Sequence, residues 1–395
     1  MTHGRRAVAR NAVVPERPAI ERRILAACDA TPPRIPVLVG GCGSGRTSLL
    51  QRIAARTERN RSQYIDAERA ASTPEEFWAA VAAASPHVAP RATDAPRAGG
   101  STRAAFDSLL AFFEHARAQD GGTPTFLIDG LLELRAFESF PGLRGALRET
   151  VAALTRSPNR FVLATRYANR ARRLLRGAND RIEITDVPPL SAAETAATLV
   201  RLGAAHDRRD HAELARLLHA LADGRPAYVR ALAAALATAD GGDDPVHALA
   251  AQMAVGAHLC LVCRLSYEAR LGRARGYGAL KAILHLLADE ERLTLTEIAR
   301  RLSRTPGSTR DYLLWLEDVD LVQVEQKRYG FRDPLLRLWV RLHSRTAPPD
   351  RADLLREAQE YAVSRLPFME DAPPTDPPAP ARAGSERRWS IIEID

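Results

Sequence analysis

A chain of 395 residues exceeds what one hydrophobic core organises, because single cores stop growing near ~250–300 residues, so two or three domains are expected. Hydrophobic residues at 46% and charged residues at 26% argue against global disorder and a membrane-embedded fold. No apolar run approaches the ~18 residues a spanning helix needs, so no membrane partner is expected. The net charge of +8 is weak support for a polyanion partner: only Lys281 and Lys327 among the 56 basic residues are lysine, and the arginine-alanine bias runs through the whole chain. The basic start, MTHGRRAVARNAVVPERPAIERR, leads into more charge rather than an apolar stretch, so it does not read as a secretory signal, and the cytoplasm is the expected location. Four cysteines are too few for a disulfide framework; Cys260 and Cys263, in a helical-looking stretch without a second pair, are expected to pack rather than bind metal.

In chain order, a basic arm (1–19) precedes Ile20, Ile24, Leu25 and Cys28 at helical spacing. The run Ile35 to Val39 reads as a buried strand, followed by a glycine loop and the helical Leu49-Leu50-Gln51-Arg52-Ile53. Further strands are expected at Gln63 to Ala67, Thr125 to Asp129, Phe161 to Thr165 and Arg181 to Ile184, with helices over 74–85, 103–118, 143–156 and 168–176 between them. Strands alternating with helices predict a parallel sheet covered on both faces. That α/β domain is expected over 20–190, and a helical subdomain over 191–273. Over 274–345 three helices (278–288, 294–303, 307–317) and two short strand-like runs predict a winged helix-turn-helix, closed by the helix in DPLLRLWVRLHS. The remainder, 346–395, reads as one short helix (351–365) and a proline-rich, charged, disordered tail.

Gly40-Gly41-Cys42-Gly43-Ser44-Gly45-Arg46-Thr47-Ser48 fits the phosphate-loop pattern GxxxxGK[ST] at every fixed position except the lysine, which is Arg46. Glycines let successive backbone N–H groups curl around phosphates, the following helix adds its positive end, and Thr47 offers a hydroxyl to Mg²⁺. The alternative is an incidental glycine turn, which the strand-loop-helix context disfavours. Arg46 presents a planar fork where an ammonium is a point charge, so binding can survive where turnover suffers; equally, composition bias could have replaced Lys at little consequence. Asp129, ending an apolar run, is the candidate second Mg²⁺ residue. Position 130 is Gly, leaving Glu133 as the carboxylate nearest in sequence to orient a water. Thr165 and Arg166 end another strand and are candidates to sense a γ-phosphate, Arg166 in its own or an adjacent subunit; a solvated strand-end charge is the plain alternative for Arg166.

GGCGSGRTSLL, FLIDGLLEL, FVLATR, VPPLSAAETAATL and Gly224-Arg225-Pro226 together resemble the successive motifs of the STAND branch of AAA+-related ATPases. DGLLEL is similar to the Walker B of the NACHT-type members, with Leu132 where an acid is usual. Gly224-Arg225-Pro226 resembles their GxP motif, which implies that Pro226 contacts the nucleotide from a helical lid. YGFRDPLLRLWVRL resembles the winged-helix ending of archaeal-type ATPases of the same branch. The resemblance spans about 20–345 and implies ATP and Mg²⁺ as ligands, a nucleotide-controlled conformational switch with slow hydrolysis, and a homo-oligomer or a signalling partner. Arg46, Gly130 and Leu132 depart from the pattern in ways that touch hydrolysis more than binding. Two other readings stand beside it: a winged-helix regulator of duplex DNA with ATP as a ligand only, and a scaffold with a vestigial loop. Over 278–344 there are 11 basic and 10 acidic residues, and the reading helix 307–317 runs into Glu317, Asp318 and Asp320, which weighs against strong DNA binding.

Overall fold

The computed structural model describes residues 17–58, 60–88, 101–202, 211–238, 244–272, 274, 276–344 and 347–365. The expected basic arm up to residue 16 and the expected disordered tail beyond 365 lie outside the described residues.

Helix α1 (Pro18–Cys28) leads into β1 (Ile35–Val39), α2 (Arg46–Arg56), β2 (Ser62–Asp66), α3 (Ala67–Ala70), α4 (Pro74–Ala83) and α5 (Thr102–His115). Strand β3 (Thr125–Asp129), a 3₁₀ helix (Leu131–Ser139), α6 (Ala146–Arg156), β4 (Arg160–Thr165), α7 (Ala168–Leu175) and β5 (Ile182–Asp186) complete the α/β part. The five strands pair in the order β2-β3-β4-β1-β5, all parallel. Every residue of β1 is buried, as a central strand covered on both faces requires; each such Val, Leu or Ile contributes ~1.5–3 kcal/mol of burial. One face packs on α1 and α2 through Ile24, Leu38, Leu49, Leu50, Ile53 and Leu127. The other packs on α4 to α7 through a larger, phenylalanine-rich cluster.

Element bounds differ from the sequence reading where tertiary pairing decides them. Strand β5 runs on to Asp186 because it stays in register with β1 up to Val39. Strand β2 stops at Asp66, whose side chain accepts from the Arg69 N–H and caps α3, a helix absent from the sequence reading, which carries the strand on to Ala67. The segment 131–139, expected to hold no element, forms the 3₁₀ helix and buries Leu131, Leu132, Leu134 and Phe137.

Beyond Leu190 the chain is helical: α8 (Ala192–Leu202), α9 (His211–Leu221), α10 (Pro226–Thr238), α11 (Pro245–Met253) and α12 (His258–Leu271). Then come α13 (Tyr277–Asp289), β6 (Leu293–Thr294), α14 (Leu295–Arg301), α15 (Pro306–Asp318), β7 (Val322–Glu325), β8 (Arg328–Phe331), α16 (Pro334–His343) and α17 (Arg351–Arg365). The short strand β6, absent from the sequence reading, joins the β7–β8 hairpin in an antiparallel sheet of order β6-β8-β7. Buried apolar residues from Leu190 to Ala362 form one contiguous cluster, so α8–α12 and α13–α17 share a core. Cys260 and Cys263 belong to it, and the Cys260 thiol accepts from the Trp339 indole N–H at 3.4 Å. Among the described residues no single helix is long and apolar enough to cross a membrane.

Candidate functional site

The glycine loop connects the buried end of β1 to the first turn of α2. Gly43 (φ +75°) and Gly45 (φ +84°) take left-handed conformations that a side chain would strain, and a Cβ on Gly40 would lie 2.8 Å from Ser44 Oγ. Arg46 folds back into this loop: one terminal nitrogen donates to the Gly41 carbonyl at 2.8 Å and to Ser44 Oγ at 3.2 Å, while its Nε is buried without a partner. Burial pulls the guanidinium down to about 10, against the opposing pull of Asp129, so it remains charged at neutral pH.

Strand order places β4 between β1 and β3, yet Thr47 Oγ1 donates to Asp129 Oδ2 at 2.5 Å. The two residues singled out for Mg²⁺ are therefore in contact. A hydroxyl and a carboxylate are hard oxygen donors of the type Mg²⁺ takes, and glycine at the strained loop positions fits a phosphate cradle. The Tyr64 hydroxyl also donates to Asp129 Oδ2, at 3.3 Å; burial first, then the neighbouring Asp129 charge, holds this phenol well above its ordinary range.

Thr165 ends β4 and Arg166 follows it; β4 is the strand between those that lead to the loop and to Asp129, with Thr165 in register with Val39. Thr165 is buried at the end of β4, its hydroxyl accepting from the Tyr167 N–H at 3.4 Å. Arg166 pairs with Glu68. Glu133 sits on the 3₁₀ helix and lines a cleft of about 230 Å³ with Tyr167, Arg170, Arg270 and Trp315, a cleft that no residue of the loop lines.

The loop is also contacted by the segment Gly224 to Tyr228. Pro226, first residue of α10, lies 3.3 Å from where a Gly45 Cβ would stand, and Tyr228 lies 3.1 Å from a Gly43 Cβ. The Ala227 N–H donates to the Gly43 carbonyl at 3.1 Å. Arg225 donates from one nitrogen to the Cys42 carbonyl at 3.0 Å and to Asp333 Oδ2 at 2.8 Å, and from another to the Arg332 carbonyl at 3.2 Å. Asp333 Oδ2 also accepts from the Tyr228 hydroxyl at 2.7 Å, while its Oδ1 caps α16 through the Leu335 and Leu336 N–H groups. Burial works to lower the Arg225 guanidinium, but Asp333 and its neighbours outweigh it and hold the group above its ordinary value. Sequence reasoning passed over Arg225, Tyr228, Asp333 and Tyr64 as site residues. Asp333-Pro334 before an apolar run signals a helix cap, but nothing local signals its partner.

No family model and no curated protein matches the sequence. In structure the chain is similar to a Walker-type ATPase of Pyrococcus abyssi, with a TM-score of 0.64 and 18% identity over 83% of this chain and 96% of that one. Fainter likenesses include Cdc6p of Pyrobaculum aerophilum (TM-score 0.41, 13% identity, 90% and 97% covered). Another is a STAND protein with a tetratricopeptide repeat sensor from Pyrococcus horikoshii (TM-score 0.36, 12% identity, 89% and 45% covered). The chain thus has the fold of the P-loop ATPases, a parallel sheet sandwiched by helices and continued by a helical region.

Proposed function

We propose that the chain binds ATP with Mg²⁺ and works as a nucleotide-controlled conformational switch that hydrolyses ATP slowly. The observation that carries this reading is the Arg225 bridge: one guanidinium joins the Cys42 carbonyl of the loop to Asp333, which lies 108 residues beyond Arg225 at the start of α16. A change in loop geometry is therefore felt directly by the C-terminal helices. In this reading Gly40 to Gly45, Arg46 and Ser48 surround the phosphates, Thr47 and Asp129 hold Mg²⁺, and Pro226 meets the nucleotide from α10. Bound Mg²⁺ would supply charge neutralisation at the transferred phosphoryl group. The surroundings of Glu133 support at most a weak hold on an attacking water, in keeping with slow turnover. The site residues and the division into a nucleotide domain (20–190), lid (191–273) and winged helix (274–345) are part of the proposal, as is assembly with further copies or a signalling partner.

Duplex DNA is the second reading. It draws on the solvent-exposed start of α15, where Thr305 to Ser308 and Arg310 are all exposed. Against it, the acidic end of that helix is engaged: Asp318 pairs with Arg170 at 2.8 Å and Arg173 at 2.6 Å, and the Glu317 carbonyl accepts from Asn169. A salt-dependent mobility shift with duplex DNA separates the two readings.

The nucleotide reading is tested by thermal unfolding with MgATP. A ligand bound only by the folded state stabilises it by about 2.7 kcal/mol at a hundredfold excess over Kd, so the midpoint should rise at millimolar MgATP and the rise should largely vanish in Thr47→Ala. No rise in the parent, with Thr47→Ala behaving identically, overturns it.

A further inference from the structure

Two hydroxyls converge on a single oxygen. Thr47 Oγ1 and the Tyr64 hydroxyl both donate to Asp129 Oδ2, at 2.5 Å and 3.3 Å, from two different elements: Thr47 from the first turn of α2, Tyr64 from the edge strand β2. The parallel register sets Tyr64 beside Leu127 and Asp66 beside Asp129, so the tyrosine stem starts two residues short of the carboxylate and its ring spans the gap. The Gln51 side chain, one turn after Thr47 on α2, also hydrogen-bonds to this phenol.

A threonine hydroxyl that coordinates a metal ion turns a lone pair toward the metal. Its proton stays available to Asp129 Oδ2, so that oxygen keeps both donors, and the one from Tyr64 comes from a different element. Held there from two elements, the carboxylate cannot rotate freely, and its second oxygen would be left for a bound Mg²⁺. We infer that Tyr64 is a positioning residue that orients the Asp129 carboxylate for Mg²⁺. The inference rests on the reading of Thr47 and Asp129 as the metal-holding pair and adds to it a residue from a third element, contributed by the sheet edge rather than by any loop motif.

The test is ATP binding by calorimetry, titrated with Mg²⁺ and repeated in excess EDTA, for the full chain and for Tyr64→Phe, which keeps the ring and removes only the hydroxyl. A hydrogen bond to a charged group is strong enough that its loss should raise the Mg²⁺ concentration for half-maximal binding about tenfold, while affinity in EDTA stays within about twofold. On an Asp129→Asn background the same Tyr64→Phe change should shift the Mg²⁺ requirement by less than about twofold, because the group it orients is gone. An unchanged Mg²⁺ requirement, equal losses with and without Mg²⁺, or a full shift on the Asp129→Asn background overturns the role of Tyr64. A parent that binds ATP with no dependence on Mg²⁺ overturns the metal-pair reading itself, and the inference with it.

Discussion

Arg46 folds onto the glycine loop that the proposed function assigns to the phosphates. Its terminal nitrogen satisfies the Gly41 carbonyl and Ser44 Oγ, and its buried Nε has no acceptor. An ammonium in the same place would be smaller and free to follow charge as it develops on a γ-phosphoryl oxygen, whereas the planar fork must either crowd the cradle or stay on the loop's own acceptors. Arg46→Lys should therefore raise the MgATP hydrolysis rate by at least about tenfold, since one well-placed donor to transition-state charge is worth ~10²–10³ in rate, with ATP affinity changed by less than about threefold. Steady-state ATPase assays beside equilibrium binding check both halves. A lysine variant no faster than the parent would show that the arginine is not the brake.

At the scale of elements, the loop's glycines answer to two neighbours. The phosphate chemistry asks for backbone without side chains, and so does the close approach of α10, whose Pro226 and Tyr228 lie only 3.3 and 3.1 Å from where Cβ atoms on Gly45 and Gly43 would be. The loop is held on that side by α10 and, through Arg225, by α16. Asp333 is the node: one oxygen takes Arg225 and Tyr228, the other caps α16. Asp333→Asn keeps the shape and removes the charge, leaving the buried Arg225 with carbonyl acceptors and the longer Asp223 contact at 3.6 Å. Removing one partner of a buried ion pair costs about 3–5 kcal/mol, and the low end is expected here because those acceptors remain. Chemical denaturation should show that loss, and MgATP affinity should change as well, although Asp333 stands behind the loop rather than in it. A variant as stable as the parent would remove the node from the account.

For the whole molecule, two bodies of core meet at this seam. The sheet has its clusters on either face, and the helices from α8 to α17 share one continuous core, so a displacement of α10, as the proposed switch requires, would meet close packing all the way to the antiparallel sheet. A second tie joins the bodies where Asp318 of α15 pairs with Arg170 and Arg173 of α7, the helix that follows Thr165 and Arg166. Protonation adds a global signature. His87, His219, His285 and His343 all lie below their ordinary value of 6.5, in each case chiefly because burial penalises the charged ring. The unfolded chain binds protons that these folded sites refuse, so their contribution to stability is complete above about pH 6.5 and declines as pH falls below it. Denaturant midpoints should drop between pH 7.5 and pH 5.5. His87, with both ring nitrogens buried and unpartnered against Phe126, should account for part of the slope, which His87→Phe should flatten. A midpoint independent of pH over that range would contradict the burial argument.

Local chemistry is what the amino-acid sequence by itself determined. The run Ile35 to Val39, the glycine loop and the helix behind it are written in consecutive residues, because strand burial, left-handed glycines and helix initiation are all decided within a few bonds. The alternation of strands and helices likewise sufficed for a parallel sheet covered on both faces. The 3₁₀ helix at 131–139 was not legible as a helix, since Leu131, Leu134 and Phe137 recur every three residues, the 3₁₀ repeat, rather than at α-helical spacing, and enter the larger core cluster. Nor was β6, a two-residue strand that exists only because Tyr329 and Arg328 are there to pair with it. At the site, Thr47 and Asp129 could be chosen from motif and strand end, but the meeting of Tyr64 with Asp129 depends on β2 lying beside β3, and that of Arg225 with Asp333 on how α10 and α16 pack. Those contacts join residues 65 and 108 positions apart, and only tertiary packing decides partners at such separations, because no short-range steric or hydrogen-bonding preference extends that far.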